Sequence, residues 1–201
     1  GGNFMKNERL RKMVLLAIFA AIILVMAFTP LGYLKIGALS LTLIPIPVAI
    51  GAVVLGPLGG ALLGGVFGAT SFAQCFGMDA FGTLLMGLHP WLTALLCLGS
   101  RILAGWLAGL ISQGLAKQDT ARSWSLFVTG FCTAAFNTIL FMSGLYFFFA
   151  GNPVFQEQFG THNIITLFTA MAGVNGLVEI LACTLVTPPI AKALLHVKSR
   201  M

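Results

Sequence analysis

Acidic residues are nearly missing from this chain. It holds five Asp and Glu against eleven Lys and Arg in 201 residues, and charged residues of both signs make up only 8%. Soluble domains carry about 25% charged residues, so a chain this poor in charge, with 58% hydrophobic residues and a mean hydropathy of +0.99, is not built to face water on all sides. Other absences narrow the chemistry. The four cysteines, Cys75, Cys97, Cys132 and Cys183, lie in separate apolar segments with no Cys-x-x-Cys pair; packed free thiols are expected rather than disulfides or a zinc site. The three histidines, His89, His162 and His196, fall near different helix ends, so no metal set forms at helical spacing. Ser71 and Ser143 have no histidine at the same depth to act as base, and no Gly-Lys-Ser/Thr loop is present to cradle phosphates, so the chain cannot itself hydrolyse ATP. The ten-residue alternation of a membrane barrel is missing too.

What is present is a series of long apolar runs. Residues 13–29 form one of them and stop at Pro30, at about one bilayer's worth of helix. Residues 31–43, with Lys35, two glycines and hydroxyl side chains, are too polar to cross and are expected to form an external loop, or lid. Gly56-Pro57 divides the next apolar stretch into a short second helix over 44–55 and a third over 58–76. A polar break from Gly77 to Gly82 follows, then a fourth helix from Leu88 to Leu115, a charged linker from Lys117 to Ser123, a fifth helix from Trp124 to Phe149, a polar loop from Gly151 to Asn163 and a sixth helix from Ile164 to Leu195. Pro188-Pro189 is expected to end or kink that last helix. The fold expected is an all-α membrane protein, a compact bundle of six transmembrane helices. Gly1 to Phe4, ahead of Met5, read as an expression scar, and residues 5–201 as a single domain without a cleavable signal.

Six crossings put both termini on one side with the fourth-to-fifth linker. That side collects Lys6, Arg9, Arg11, Lys12, Lys117, Arg122, Lys192, Lys198 and Arg200, whereas Lys35 stands alone opposite. The bias predicts cytoplasmic termini in a plasma membrane. The charges flank apolar spans and match anionic lipid, with no folded basic face for nucleic acid.

A few polar residues interrupt the oil. Arg101 lies halfway along the fourth helix, Asn137 in the middle third of the fifth, and Asn175 and Glu179 one turn apart on the sixth; Gln74 and His89 sit near the external ends of two helices. Such groups at bilayer depth cost several kcal/mol unless they are paired, wetted or binding something. Three readings stand: an Arg101–Glu179 ion pair with asparagines stitching helices, a cavity for a small polar solute, and catalysis. Small residues recur at helical spacing: Ala17 and Ala21 on the first helix, Gly60, Gly64 and Gly68 on the third, Gly105 and Gly109 on the fourth. This spacing lets backbones approach where burial supplies no drive. The glycines are expected to pack within the bundle, and Ala17 and Ala21 either there or against a partner helix.

The ordered series Leu41-Thr42-Leu43-Ile44-Pro45-Ile46-Pro47-Val48-Ala49-Ile50-Gly51, Leu55-Gly56-Pro57-Leu58-Gly59-Gly60-Ala61, Gly64-Gly65-Val66-Phe67-Gly68-Ala69-Thr70-Ser71-Phe72, His89-Pro90, Arg101-Ile102-Leu103-Ala104-Gly105, Phe136-Asn137-Thr138 and Val174-Asn175-Gly176-Leu177-Val178-Glu179 resembles the S components, the substrate-binding subunits, of energy-coupling factor vitamin transporters. The resemblance implies a non-enzymatic vitamin binder without a cofactor of its own. It would dock through Ala17 and Ala21 on a shared module of one transmembrane scaffold subunit and two cytoplasmic ATPases, which use the ATP. It also implies that residues 31–43 gate an external pocket and that the bundle topples in the bilayer. The Ile-Pro-Ile-Pro-Val and Phe-Gly-Ala-Thr-Ser-Phe runs look most like pantothenate-type members, with Arg101 for the carboxylate and Asn137, Asn175 and Gln74 for hydroxyl and amide groups. His89-Pro90 and Ser100-Arg101 stand where such members are expected to carry Asn-Pro and Pro-Arg. Folate or another vitamin, and outside transport an intramembrane enzyme or structural assembly factor, are the alternatives. An ion-coupled carrier is disfavoured because the halves show no inverted repeat.

Overall fold

The computed structural model describes the backbone of residues 2–29, 32–36, 39–118, 123–159 and 164–200, and side chains at 8–29, 32, 42–118, 123–157, 173 and 176–197. In chain order the elements are α1 (Gly2–Ala27), β1 (Tyr33–Ile36), β2 (Leu39–Thr42), α2 (Pro45–Leu55), α3 (Pro57–Gln74), α4 (Ala80–Leu88), α5 (Pro90–Ala116), α6 (Trp124–Phe149), α7 (Pro153–Phe159) and α8 (Ile164–Arg200). Helices dominate because a chain in hydrocarbon has no water to satisfy its backbone and must bond it internally.

Proline and glycine set the boundaries. Pro45, Pro57 and Pro90 each occupy a first helical turn, where the missing N–H is not needed. Gly56, at φ +84°, makes the sharp reversal between α2 and α3 that a side chain would strain. Asp79 caps α4, its carboxylate accepting from the Gly82 N–H at 2.7 Å.

The close-packed heart of the bundle is the antiparallel α3–α5 pair. A Cβ on Gly60 would collide with the Gly105 carbonyl, one on Gly105 with the Gly60 carbonyl, and one on Gly64 with the Arg101 carbonyl; one on Gly68 would lie 2.7 Å from the Cys97 oxygen. The glycines therefore pack within the bundle, as their spacing implied. Gly130 does the same for α6 against α8, where a Cβ would meet the Cys183 oxygen at 2.6 Å. All four cysteines are free.

α1 packs on α2 and α3. It buries Phe19, Ile23 and Ala27, one residue per turn, and leaves Leu10, Met13, Val14, Ile18, Ile22 and Val25 exposed. At the far end of the bundle, Leu85 of α4 and Phe155 of α7 join Leu96, Met142, Leu145 and Phe149 in one apolar cluster.

Among the described residues, four helical segments are long and apolar enough to cross a membrane: Glu8–Ala27, Pro90–Ala116, Trp124–Phe149 and Gly176–Val197. α2, at 11 residues, is as short as expected, and α3 has its 18 residues diluted by five glycines. The structure corrects the expected outline in four places. Residues 31–43 carry an antiparallel hairpin pairing Tyr33 with Thr42 and Ile36 with Leu39, not an irregular loop. The break after Gly77 is shorter than expected, because capping by Asp79 starts α4 at Ala80. α7 occupies part of the polar loop expected over 151–163, anchored by Phe155 against Phe149 with ring centroids 6.2 Å apart. Finally, of the end or kink expected at Pro188-Pro189, the end does not occur: α8 runs through both prolines to Arg200. Two prolines remove two N–H donors, but the other hydrogen bonds of a 37-residue helix carry it across.

Candidate functional site

Arg101 is 91% buried, at 9% exposure, in the α5 face turned toward α3 and α6. Its guanidinium carbon lies 4.9 Å from the ring centroid of Phe67 on α3 and 4.7 Å from that of Phe141 on α6. Nη1 donates to Ser100 Oγ at 3.1 Å and to the Cys97 carbonyl at 3.4 Å. Ser100 in turn donates to the Leu96 carbonyl at 2.6 Å, so its oxygen faces Arg101 as an acceptor. Nε has no partner.

Asn137 sits one turn before Phe141 on the same α6 face, which carries the site from α5 toward α8. Its Nδ2 donates to Glu179 Oε1 at 3.1 Å, both residues being buried. Asn137 Oδ1 has no partner. Arg101 and Glu179 make no ion pair with each other. Three helices thus bring together a cation with a spare donor, an amide with a spare acceptor, and a carboxylate that accepts from that amide. A buried polar atom left unpaired costs about 1–3 kcal/mol, and this cluster holds two of them, Arg101 Nε and Asn137 Oδ1.

Below Asn137, Thr133, Thr129 and Ser125 continue the same α6 stripe at one-turn intervals, all buried. Thr133 donates to the Thr129 carbonyl at 2.7 Å and Thr129 to the Ser125 carbonyl at 2.8 Å. These threonines satisfy their own helix and do not reach across to α8.

The other sequence candidates fall elsewhere. Asn175 lies one turn before Glu179 on α8, and its side chain is outside the described residues. Gln74 donates to the Ala27 carbonyl at 2.6 Å, tying the end of α3 to the end of α1. Replacing it with alanine is expected to lower thermal stability by about 1 kcal/mol with ligand affinity unchanged; calorimetry of binding beside thermal unfolding checks the separation. His89 is exposed at the α4–α5 junction, its carbonyl accepting from Thr93 Oγ1 at 2.9 Å. Ala17 and Ala21 both lie on the exposed face of α1. Phe67, Phe141 and Ser100 were not among the sequence candidates. Ser100 adjoins Arg101 in the chain, but nothing in the sequence singles out two rings among 17 phenylalanines.

No group of three or more His, Cys, Asp or Glu that could hold a metal occurs among the described residues. Fold and site define a helical membrane protein whose bundle holds a small set of unsatisfied polar groups suited to binding a solute. Over residues 11–191 the sequence matches the family described as "ECF transporter, substrate-specific component", and the chain belongs to that family. It is similar to the pantothenate transporter PanT of Leuconostoc mesenteroides, with 27% identity and an alignment covering 98% of each chain. The protein is therefore the binding subunit of an uptake transporter, docking on an energy-coupling module, and not an enzyme.

Proposed function

We propose that this chain binds pantothenate for uptake. The observation that carries the reading is the split character of the site. Arg101 offers an unpaired donor on one side, and Asn137 Oδ1 and Glu179 offer acceptors on the other. Pantothenate has a matching polarity, with a carboxylate at one end and hydroxyl and amide donors at the other. On this reading Glu179 takes part by accepting from those donors, and Asn175, one turn away, adds an amide. The name of the similar Leuconostoc protein supports the choice of vitamin.

The rest of the proposal follows from charge and exposure. The bundle crosses the cell membrane six times, with α2 and α3 as the two shorter crossings and both termini cytoplasmic, because nine basic residues gather on that side and one opposite. Ala17 and Ala21 lie on the exposed face of α1, where they would meet a transmembrane scaffold subunit. Two cytoplasmic ATPases would supply the energy, and the chain itself needs no cofactor.

A thermal-shift screen of the detergent-purified protein against the B vitamins tests the reading. Pantothenate at 100 times its dissociation constant is expected to stabilise the fold by about 2.7 kcal/mol. A shift with folate or another vitamin instead would replace the substrate and keep the transport role. A folded sample that responds to pantothenate no more than to buffer would overturn the assignment.

A further inference from the structure

Arg101 carries the charge of the site, but aromatic rings fix its direction. Phe67 from α3 and Phe141 from α6 lie against the guanidinium, with centroid distances of 4.9 and 4.7 Å. A ring face attracts the cation without consuming any N–H donor, so the guanidinium keeps its hydrogen-bonding capacity while losing freedom to swing. Nη1 makes both of the group's hydrogen bonds to described residues, to Cys97 and Ser100 on the same helix. The edge formed by Nε and Nη2 is left, and Nε has no partner at all. Two parallel N–H groups on that edge match the two oxygens of a carboxylate. A hydroxyl or a neutral amide would take one donor and leave the other buried and unpaired, at the cost such groups carry.

We infer that Phe67 and Phe141 are positioning and specificity-determining residues: they hold Arg101 so that its free edge receives one carboxylate, and the solute's carboxylate becomes the group the site most strongly requires. The inference rests on the transport reading and deepens it, since it states which part of the solute decides recognition and which residues enforce it. The two rings come from two different helices, α3 and α6, so the guanidinium is held against two neighbours of α5 rather than against one.

The test compares pantothenate with the analogue whose carboxylate is reduced to a primary alcohol, using the full chain in detergent, calorimetry for the acid and displacement for the alcohol. The alcohol is expected to bind at least on the order of a hundredfold more weakly, because it strands a buried charged donor. Arg101→Lys is expected to lose most of that discrimination, since an ammonium cannot present a two-point edge. Phe67→Leu and Phe141→Leu are each expected to reduce the acid-to-alcohol ratio about tenfold. A purely structural role for the rings would weaken both ligands together and leave the ratio where it was. Equal affinity for acid and alcohol in the unsubstituted protein overturns the inference while leaving the pantothenate assignment intact, and so does an unchanged ratio in both ring variants. If pantothenate itself does not bind, the assignment falls, and the inference is decided by the solute that does: tight binding of one lacking a carboxylate overturns it, and the same acid-over-alcohol preference in a different carboxylate supports it.

Discussion

Arg101→Ala is expected to lower pantothenate affinity by a factor on the order of 10² to 10³, because removing one partner of a buried charged pair costs several kcal/mol. The same substitution should leave the bundle at least as stable as before. A guanidinium at bilayer depth is a burden on the folded protein, roughly 2.5–3.5 kcal/mol on insertion scales, and the two hydrogen bonds that Arg101 makes to described residues both lie within its own helix. Deleting it therefore severs no hydrogen bond between helices. Isothermal calorimetry and thermal unfolding on one preparation read the two effects separately. A large fall in unfolding temperature with affinity retained would make Arg101 a structural residue and remove it from the site.

Gly64→Ala is expected to destabilise the protein by about 2 kcal/mol, in the middle of the range that an added methyl costs in a tight core. The new Cβ would collide with the Arg101 carbonyl and lie 2.8 Å from its carbon. Backbone atoms cannot rotate aside as a side-chain tip can, so α3 and α5 must separate. Its neighbour supplies the control. At Gly65 an added Cβ meets only the Ile102 side chain, at 3.6 Å, an ordinary contact. Gly65→Ala is therefore expected to be neutral or to stabilise by about 0.5–1 kcal/mol through helix propensity. Equal unfolding temperatures for the two variants would show that the α3–α5 seam is looser than its glycines indicate. Because Gly64 backs directly onto Arg101, the alanine variant should also bind more weakly.

How much of this could be read in the sequence depended on the kind of signal. Long apolar helices were legible: α6 runs from Trp124 to Phe149 as the hydropathy alone placed it, and α5 begins two residues later than expected because Pro90 takes its first turn. The glycine seam was legible because spacing of four maps onto one helix face. Short elements were not. α4 and α7 are held by tertiary contacts of Leu85 and Phe155 that no local pattern announces, and the hairpin at Tyr33–Thr42 sits in a segment whose composition reads as loop. Charge and amide residues stood out against hydrocarbon, and the structure buries Arg101, Asn137 and Glu179 in the bundle. Which of them touch was not readable: the structure joins Glu179 to Asn137 rather than to Arg101. Nor could the sequence show that Gln74 donates to the Ala27 carbonyl.

The glycine contacts also divide the bundle by stiffness. Phe67 and Arg101 stand on α3 and α5, two helices in backbone contact along several turns, and so behave as one body. Asn137 and Glu179 stand on α6 and α8, which approach at Gly130 and Cys183 and, among the described residues, are also joined by the amide–carboxylate hydrogen bond. The cation is thus mounted on a seam where Gly60, Gly64, Gly68 and Gly105 all make close approaches, and the acceptors on a pair with one such glycine among the described residues, Gly130. A solute that spanned from Arg101 to Asn137 and Glu179 would therefore tie the α3–α5 pair to α6 and α8 through its own polar groups.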